Sequence, residues 1–264
     1  MNRVNRVGIL GLGFVGSAIN SFFPEAKTHD KYKDGSPFDA ILDTDILFLC
    51  LPTLFNPQTY TYDTTELGLT LEKLADKAYA GIILVKSTVE PNYCQEMNKM
   101  YPALKIMHNP EFLTARTAIE DFANQSHIIL GYTIESHQAV PGVEQFYKKH
   151  FPQACLSVVT AEEAGLAKLA CNSFYAVKVQ FFTEIYCLCQ RLGISFDSVR
   201  QLMLNNNWIN PMHTIVPGPD GAISYGGACL PKDTEALRAF MALHAAPNNL
   251  LEATILERDI MRNI

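Results

Sequence analysis

The segment Gly11-Leu12-Gly13-Phe14-Val15-Gly16 constrains the fold of this 264-residue chain more than any other feature. It lies between an apolar run at residues 4–10 (Val-Asn-Arg-Val-Gly-Ile-Leu) and a helical stretch that begins at Ser17. Glycines at this spacing let a strand turn sharply into a helix and let a ligand approach the backbone. An isolated match is often only a turn, but this one opens a regular alternation. Further apolar runs occur at 46–51, 82–86, 104–107 and 127–130, and segments with helical spacing at 65–78 and 91–100 lie between them. Strand and helix alternating in this way predict an α/β protein, a doubly wound parallel sheet with helices on both faces. Asp30 follows Gly11 by 19 residues and falls near the end of the second strand, 26–29. A carboxylate there accepts ribose hydroxyls and repels a 2′-phosphate, which favours NAD over NADP even with Lys31 next door. The expected dinucleotide site is thus Gly11, Gly13, Phe14, Val15, Gly16 and Asp30, in a Rossmann-like N-terminal domain.

The pattern changes near residue 160. Thr160-Ala161-Glu162-Glu163 reads as a capping box, and the next plausible stop is Gly193. The helix between them would hold about 32 residues and run roughly 48 Å. Its middle (Phe174, Tyr175, Val177, Val179, Phe181, Phe182, Ile185, Tyr186, Leu188) is apolar almost all round, which predicts burial against a second copy of the chain. A helix at 195–205, an irregular Pro/Gly stretch from Asn210 to Gly221 and a helical tail from Thr234 follow. Two domains are expected: residues 1–159, binding the dinucleotide, and residues 160–264, helical and built on the long helix.

In a sheet of this kind ligands gather beyond the carboxyl ends of the strands. Thr53, Thr88 and Glu111 fall there, each equally consistent with a turn residue. On the long helix Lys168 and Asn172 are four residues apart and share a face. Among alanines and leucines an unpaired ammonium is costly, so Lys168 either snorkels to solvent or presents a cation to a substrate oxygen. The most reactive candidate is Cys229, in Ser224-Tyr225-Gly226-Gly227-Ala228-Cys229-Leu230-Pro231-Lys232-Asp233. Two glycines lead into it, and a nearby cation favours the thiolate. A lone cysteine more often simply packs; the company it keeps here argues otherwise.

Composition narrows the class. Net charge is −6, with lysine and arginine dispersed apart from Lys148-Lys149, so no concentrated basic face for nucleic acid is expected. No apolar run approaches a membrane span, and the N-terminus leads into a strand rather than a signal peptide. The seven cysteines are odd in number and lack paired metal-ligand spacing, and Cys187 and Cys189 point to different helix faces. Reduced thiols, a cytoplasmic setting and no metal are the expectation.

Five stretches in order resemble the UDP-glucose/GDP-mannose dehydrogenase family: Gly11 to Gly16, Lys86-Ser87-Thr88-Val89, Asn109-Pro110-Glu111-Phe112-Leu113, Ala167-Lys168-Leu169-Ala170-Cys171-Asn172, and Gly226 to Asp233. The Cys-Leu-Pro-Lys-Asp wording is most similar to the short bacterial-type UDP-glucose 6-dehydrogenases. The resemblance implies oxidation of a sugar C6 alcohol to a carboxylate with two NAD⁺, UDP-glucose to UDP-glucuronate being the expected case. It implies a thiohemiacetal and then a thioester on Cys229, with Lys168 and Asn172 stabilising oxyanions. Asp233, with Thr88 and a water, would handle protons, and Glu111 would assist hydrolysis. Thr53, Thr88 and Lys232 would contact the cofactor; Glu111, Phe112, Leu113, Lys168, Asn172 and Gly226 would hold the sugar. The long helix would be the family's dimerisation helix.

Two departures accompany the resemblance. Where the family usually has a second glutamate four residues after Glu111, this chain has Ala115, followed by Arg116. The family's C-terminal nucleotide-binding domain is expected to be absent, and a separately encoded UDP-binding partner could supply it. Val216 to Gly221 also differs from the substrate loop of the short bacterial enzymes. Two other functions fit part of the pattern: a two-electron β-hydroxyacid-type dehydrogenase, which needs no cysteine, and a catalytically silent NAD-binding dimer.

Overall fold

The computed structural model describes residues 6–33 and 36–263. In chain order the elements are β1 (Val7–Leu10), α1 (Phe14–Phe22), β2 (Lys27–His29), β3 (Ile46–Leu49), β4 (Leu54–Asn56), β5 (Thr61–Asp63), α2 (Thr65–Asp76), β6 (Ile82–Val85) and α3 (Tyr93–Met100). Then come β7 (Lys105–His108), α4 (Ala118–Ala123), β8 (His127–Tyr132), α5 (Val140–His150), β9 (Cys155–Thr160), α6 (Ala161–Leu192), α7 (Phe196–Leu204), α8 (Leu230–Leu243) and α9 (Asn249–Arg262). Every strand and helix expected from hydrophobic spacing forms close to its expected position, although residues 4 and 5 of the first run lie outside the described residues. The first helix starts at Phe14, inside the glycine segment, rather than at Ser17.

The chain divides into two compact units, Met1–Leu54 with Tyr62–Lys168, and Phe55–Thr61 with Leu169–Ile264. The first unit is built on a seven-stranded sheet of order β2-β1-β3-β6-β7-β8-β9. Its central strands β1, β3 and β6 are short and wholly apolar because both faces are covered. Alternate residues serve opposite layers: Ile9, Ile46, Phe48, Leu84 and Met107 pack with Phe23, Phe122 and Phe146. Leu10, Leu47, Leu49, Ile83, Val85 and Ile106 pack with Leu67, Leu71 and Leu74 of α2 and Tyr93 and Cys94 of α3.

One feature departs from a purely parallel sheet. β7 and β8 run antiparallel, while β8 and β9 are parallel to each other. The segment joining β7 to β8 contains only the six-residue helix α4. An antiparallel neighbour needs no full crossover helix, so the six-residue α4 suffices between them. A two-stranded β4–β5 sheet, unsignalled by hydrophobic spacing, lies outside the main sheet.

The capping box forms as expected. Thr160 Oγ1 accepts the Glu163 N–H at 3.2 Å, and Glu163 Oε2 accepts the Thr160 N–H at 2.8 Å. The 32-residue helix α6 that follows ends before Gly193, which has φ +68°. In the second unit α6 has two kinds of surface. Phe182 and Cys189 are buried with Phe196 of α7 and Val216. Phe174, Phe181 and Leu188, seven residues apart, remain 63%, 49% and 51% exposed. The apolar girth read from the sequence is therefore a buried face plus an exposed heptad-spaced ridge.

Candidate active-site residues

The glycine segment is shaped by close approach. Gly11 has φ +90°, and a Cβ there would lie 2.4 Å from the Cys50 carbonyl oxygen; one at Gly16 would lie 1.9 Å from the Gly11 oxygen. A Cβ at Gly13 would meet nothing within 4 Å. Gly13 is the N-cap of α1, no side chain caps that helix, and its first turn holds no acidic residue. Unsatisfied N–H groups at an open, uncapped helix N-terminus form an anion site, so the segment fits the pyrophosphate of a dinucleotide.

Asp30 sits at the end of β2 as expected, and its carboxylate also braces the loop. Oδ2 accepts the Leu12 N–H at 2.6 Å and Oδ1 the Tyr32 N–H at 2.9 Å. These backbone bonds, the Leu12 one foremost, hold its carboxyl below the ordinary range. A carboxylate accepts at about four lone-pair positions, which leaves capacity for ribose hydroxyls. Lys33, which sequence spacing gave no reason to single out, places its ammonium on the Leu12 carbonyl at 2.5 Å. Lys31 turns instead to Glu66, at 3.0 Å.

The three polar residues expected at the carboxyl ends of the strands are there. Thr53, buried after β3, donates its hydroxyl to the Thr88 carbonyl at 2.6 Å. Glu111 is buried just beyond β7, where Oε2 accepts the Leu113 N–H at 2.6 Å. Lys168 is only 4% exposed and does not snorkel. Its ammonium donates to the Glu111 carbonyl at 2.5 Å and lies 3.4 Å from Glu111 Oε1. It also stands 4.9 Å from the centre of the Phe112 ring. An ammonium has three donors, so this arrangement leaves capacity for one more oxygen.

Beneath this rim lies a polar group that the sequence signals only weakly, as a lysine ending an apolar strand. Lys86, 4% exposed, donates to Asn109 Oδ1 at 3.1 Å, and the same oxygen accepts the Tyr147 hydroxyl at 2.5 Å. Asn109 in turn donates to the Ile129 carbonyl at 2.7 Å, tying β7 to β8. Burial pushes the Lys86 ammonium down to about 8. Neighbouring His108 is fully buried and pushed down to about 4, so its ring is neutral at pH 7.

The second unit carries the thiol. Cys229 is the N-cap of α8, half-buried, with Lys232 and Asp233 in the first turn. Asp233 is fully buried. Its Oδ2 accepts the Asn172 amide at 2.6 Å, and its Oδ1 lies 2.5 Å from the Lys232 ammonium. Asn172, 6% exposed, stands one turn along α6 from Lys168. Gly226 lies in the loop before the thiol, while Ala115 and Arg116 are exposed in the first unit. Cys50, Cys94, Cys155, Cys171, Cys187 and Cys189 are all unbridged thiols. Among the described residues no cluster of His, Cys, Asp and Glu could hold a metal ion, and no helix is long and apolar enough to cross a membrane.

Lys86 yields a pH test. Its folded value lies below its ordinary 10.5, so the unfolded chain binds more protons between about pH 8 and 10.5. Stability from this group therefore rises with pH across that window. Urea unfolding of wild type should gain on the order of 2 kcal/mol relative to Lys86→Met between pH 7.5 and 10. Equal pH dependence in the two proteins would show that Lys86 titrates normally.

Residues 25–151 match the NAD binding domain of the UDP-glucose/GDP-mannose dehydrogenase family, and residues 162–257 match its central domain. A UDP-glucose 6-dehydrogenase of Streptococcus pneumoniae is 25% identical over 83% of this chain and 55% of its own length. One from Bacillus subtilis is 29% identical over 82% of this chain and 46% of its own. The chain thus spans about half the length of these curated relatives. The structure of a UDP-glucose dehydrogenase from the archaeon Pyrobaculum islandicum superposes with a TM-score of 0.83, at 22% identity, over 98% of this chain and 70% of that one. The chain belongs to the UDP-glucose/GDP-mannose dehydrogenase family.

Proposed function

We propose that this chain is the NAD-binding and catalytic part of a nucleotide-sugar 6-dehydrogenase that takes a C6 alcohol to a carboxylate, UDP-glucose to UDP-glucuronate being the preferred case. The observation that carries the reading is Cys229 at the N-terminus of α8, backed by a buried Asp233 that Asn172 and Lys232 hold in place. A helix N-terminus and a neighbouring lysine both favour the thiolate.

The residues divide the work. Gly11, Gly13, Phe14, Val15, Gly16 and Asp30 hold NAD⁺, with Thr53, Thr88 and Lys232 as further contacts. Bound there, NAD⁺ supplies a two-electron acceptor for each oxidation. Loss of a hydride and a proton, two electrons and two protons in all, turns the sugar alcohol into an aldehyde, which has no easily released second hydride. The Cys229 thiolate adds to its carbonyl carbon to give a thiohemiacetal, whose oxidation leaves a thioester. Water attacks the thioester carbon, and the carboxylate and the thiol separate. Lys168 and Asn172 stabilise the oxyanion at each stage. Asp233, with Thr88 and a water, carries protons, and Glu111 assists hydrolysis. The backbone from Glu111 to Leu113 and at Gly226 cradles the sugar.

The exposed ridge Phe174–Phe181–Leu188 supports a homodimer through the 160–193 helix in a cytoplasmic enzyme. Grip on the nucleotide end of the substrate falls to a further domain or a separately encoded partner.

With purified chain, NAD⁺ and UDP-glucose, two NADH should form per sugar consumed, and Cys229→Ser should stop short of the carboxylate. One NADH per substrate with Cys229→Ser fully active would instead support the β-hydroxyacid-type reading. Tight NAD binding without turnover on any UDP- or GDP-sugar would support the silent or partner-dependent one. For the dimer, Phe181→Glu should halve the mass seen by sedimentation equilibrium at micromolar protein. An unchanged mass would remove the ridge from the interface.

A further inference from the structure

The loop that delivers Cys229 is gripped from two helices of its own unit. From α6, Gln180 Oε1 accepts the Ser224 hydroxyl at 2.6 Å, and Thr183 Oγ1 accepts the Ser224 N–H at 3.1 Å. From the last turn of α9, Arg262 Nη2 donates to the Ser224 carbonyl at 2.8 Å, and Nη1 donates to Asp220 Oδ2 at 2.9 Å. Arg258, one turn earlier on the same helix, stands with its guanidinium carbon 5.5 Å from the centre of the buried Tyr225 ring. Successive loop residues are therefore fixed by one basic face of α9.

Two details show that the grip is specific. Ser224 has φ +61°, a left-handed conformation that a non-glycine residue keeps only when its surroundings impose it. Gly226 is not in that region, so its own backbone does not demand glycine. A Cβ there would lie 2.5 Å from Arg262 Nη1, 2.8 Å from Cζ and 3.0 Å from Nη2. The guanidinium lies against the Gly226 backbone and is pinned by Asp220 and Ser224, so making room for a side chain breaks those bonds. Asp220 responds to the pairing, its carboxyl held below the ordinary range chiefly by Arg262.

We propose that Arg262 is a positioning residue for Cys229: it sets loop 220–227 so that the thiol stays at the N-terminus of α8 beside Lys232. This rests on the reading of Cys229 as the nucleophile, and it adds that Gly226 is glycine because Arg262 occupies the space of its side chain.

The test reads the thiol directly, without cofactor or substrate. Iodoacetamide alkylation of Cys229 in the full chain is followed by peptide mass from pH 6 to 9, with exposed Cys155 as internal reference. Arg262→Ala should raise the midpoint of the Cys229 profile by about one pH unit and slow alkylation at pH 7 roughly 5- to 10-fold, while Cys155 is unchanged. Arg262→Lys should restore part of the shift. Gly226→Ala should reproduce it, and the double variant with Arg262→Ala should be no worse than either single one. If Arg262→Ala fails to fold, Arg262→Lys and Gly226→Ala carry the comparison. Cys229 profiles that superpose on wild type in folded variants would overturn the proposal. A shifted profile with NADH-forming turnover intact would instead remove Cys229 from the chemistry, while the positioning of the thiol by Arg262 would stand.

Discussion

The buried carboxylate of Asp233 is the constraint on which the second unit turns. It has no exposed surface, yet it sits in the first turn of α8 with the Asn172 amide on one oxygen and the Lys232 ammonium on the other. A carboxylate in that position is tolerable only when its lone pairs are met, and removing one partner of such a group typically costs several kcal/mol. The arrangement locks α8 to α6 in a fixed register, and register decides where the α8 N-cap lies. That cap is Cys229. A thiol at a helix terminus is thus placed by a group four residues further along.

The first unit solves the same problem with a cation. Lys168 is buried and directed onto the Glu111 carbonyl and carboxylate, and Glu111 turns its other oxygen to the Leu113 N–H. These contacts shape the segment just beyond β7, where an open α/β sheet binds its ligands. The glycine segment at the end of β1 completes the rim with an uncapped helix terminus, and Asp30 holds its Leu12 amide. Both units rely on charged groups with little exposure, each matched by a specific partner.

Much of this was legible in the chain itself. The alternation of apolar runs and helical segments follows from burying both faces of a sheet, and the Thr160–Glu163 capping box placed the start of α6 at the right residue. The antiparallel β7–β8 pair was not legible, because an apolar strand carries no mark of its direction. The exposed ridge and buried face of α6 could not be separated, since both are written in the same apolar residues. Among candidate site residues, motif spacing singled out Lys168, Asn172, Glu111, Asp233 and Cys229. It missed Lys33, whose role is a single contact with a loop carbonyl. It also missed Arg262, which follows Cys229 by two helices and meets its loop only through the packing of α9.

The central claim is that Cys229 carries the substrate covalently between two oxidations. The most direct measurement is peptide mass after acid quench during turnover with NAD⁺ and UDP-glucose. The account predicts an adduct of thioester mass on the peptide containing Cys229. Carboxylate product formed while that peptide stays unmodified, under a quench shown to preserve thioesters, would contradict it.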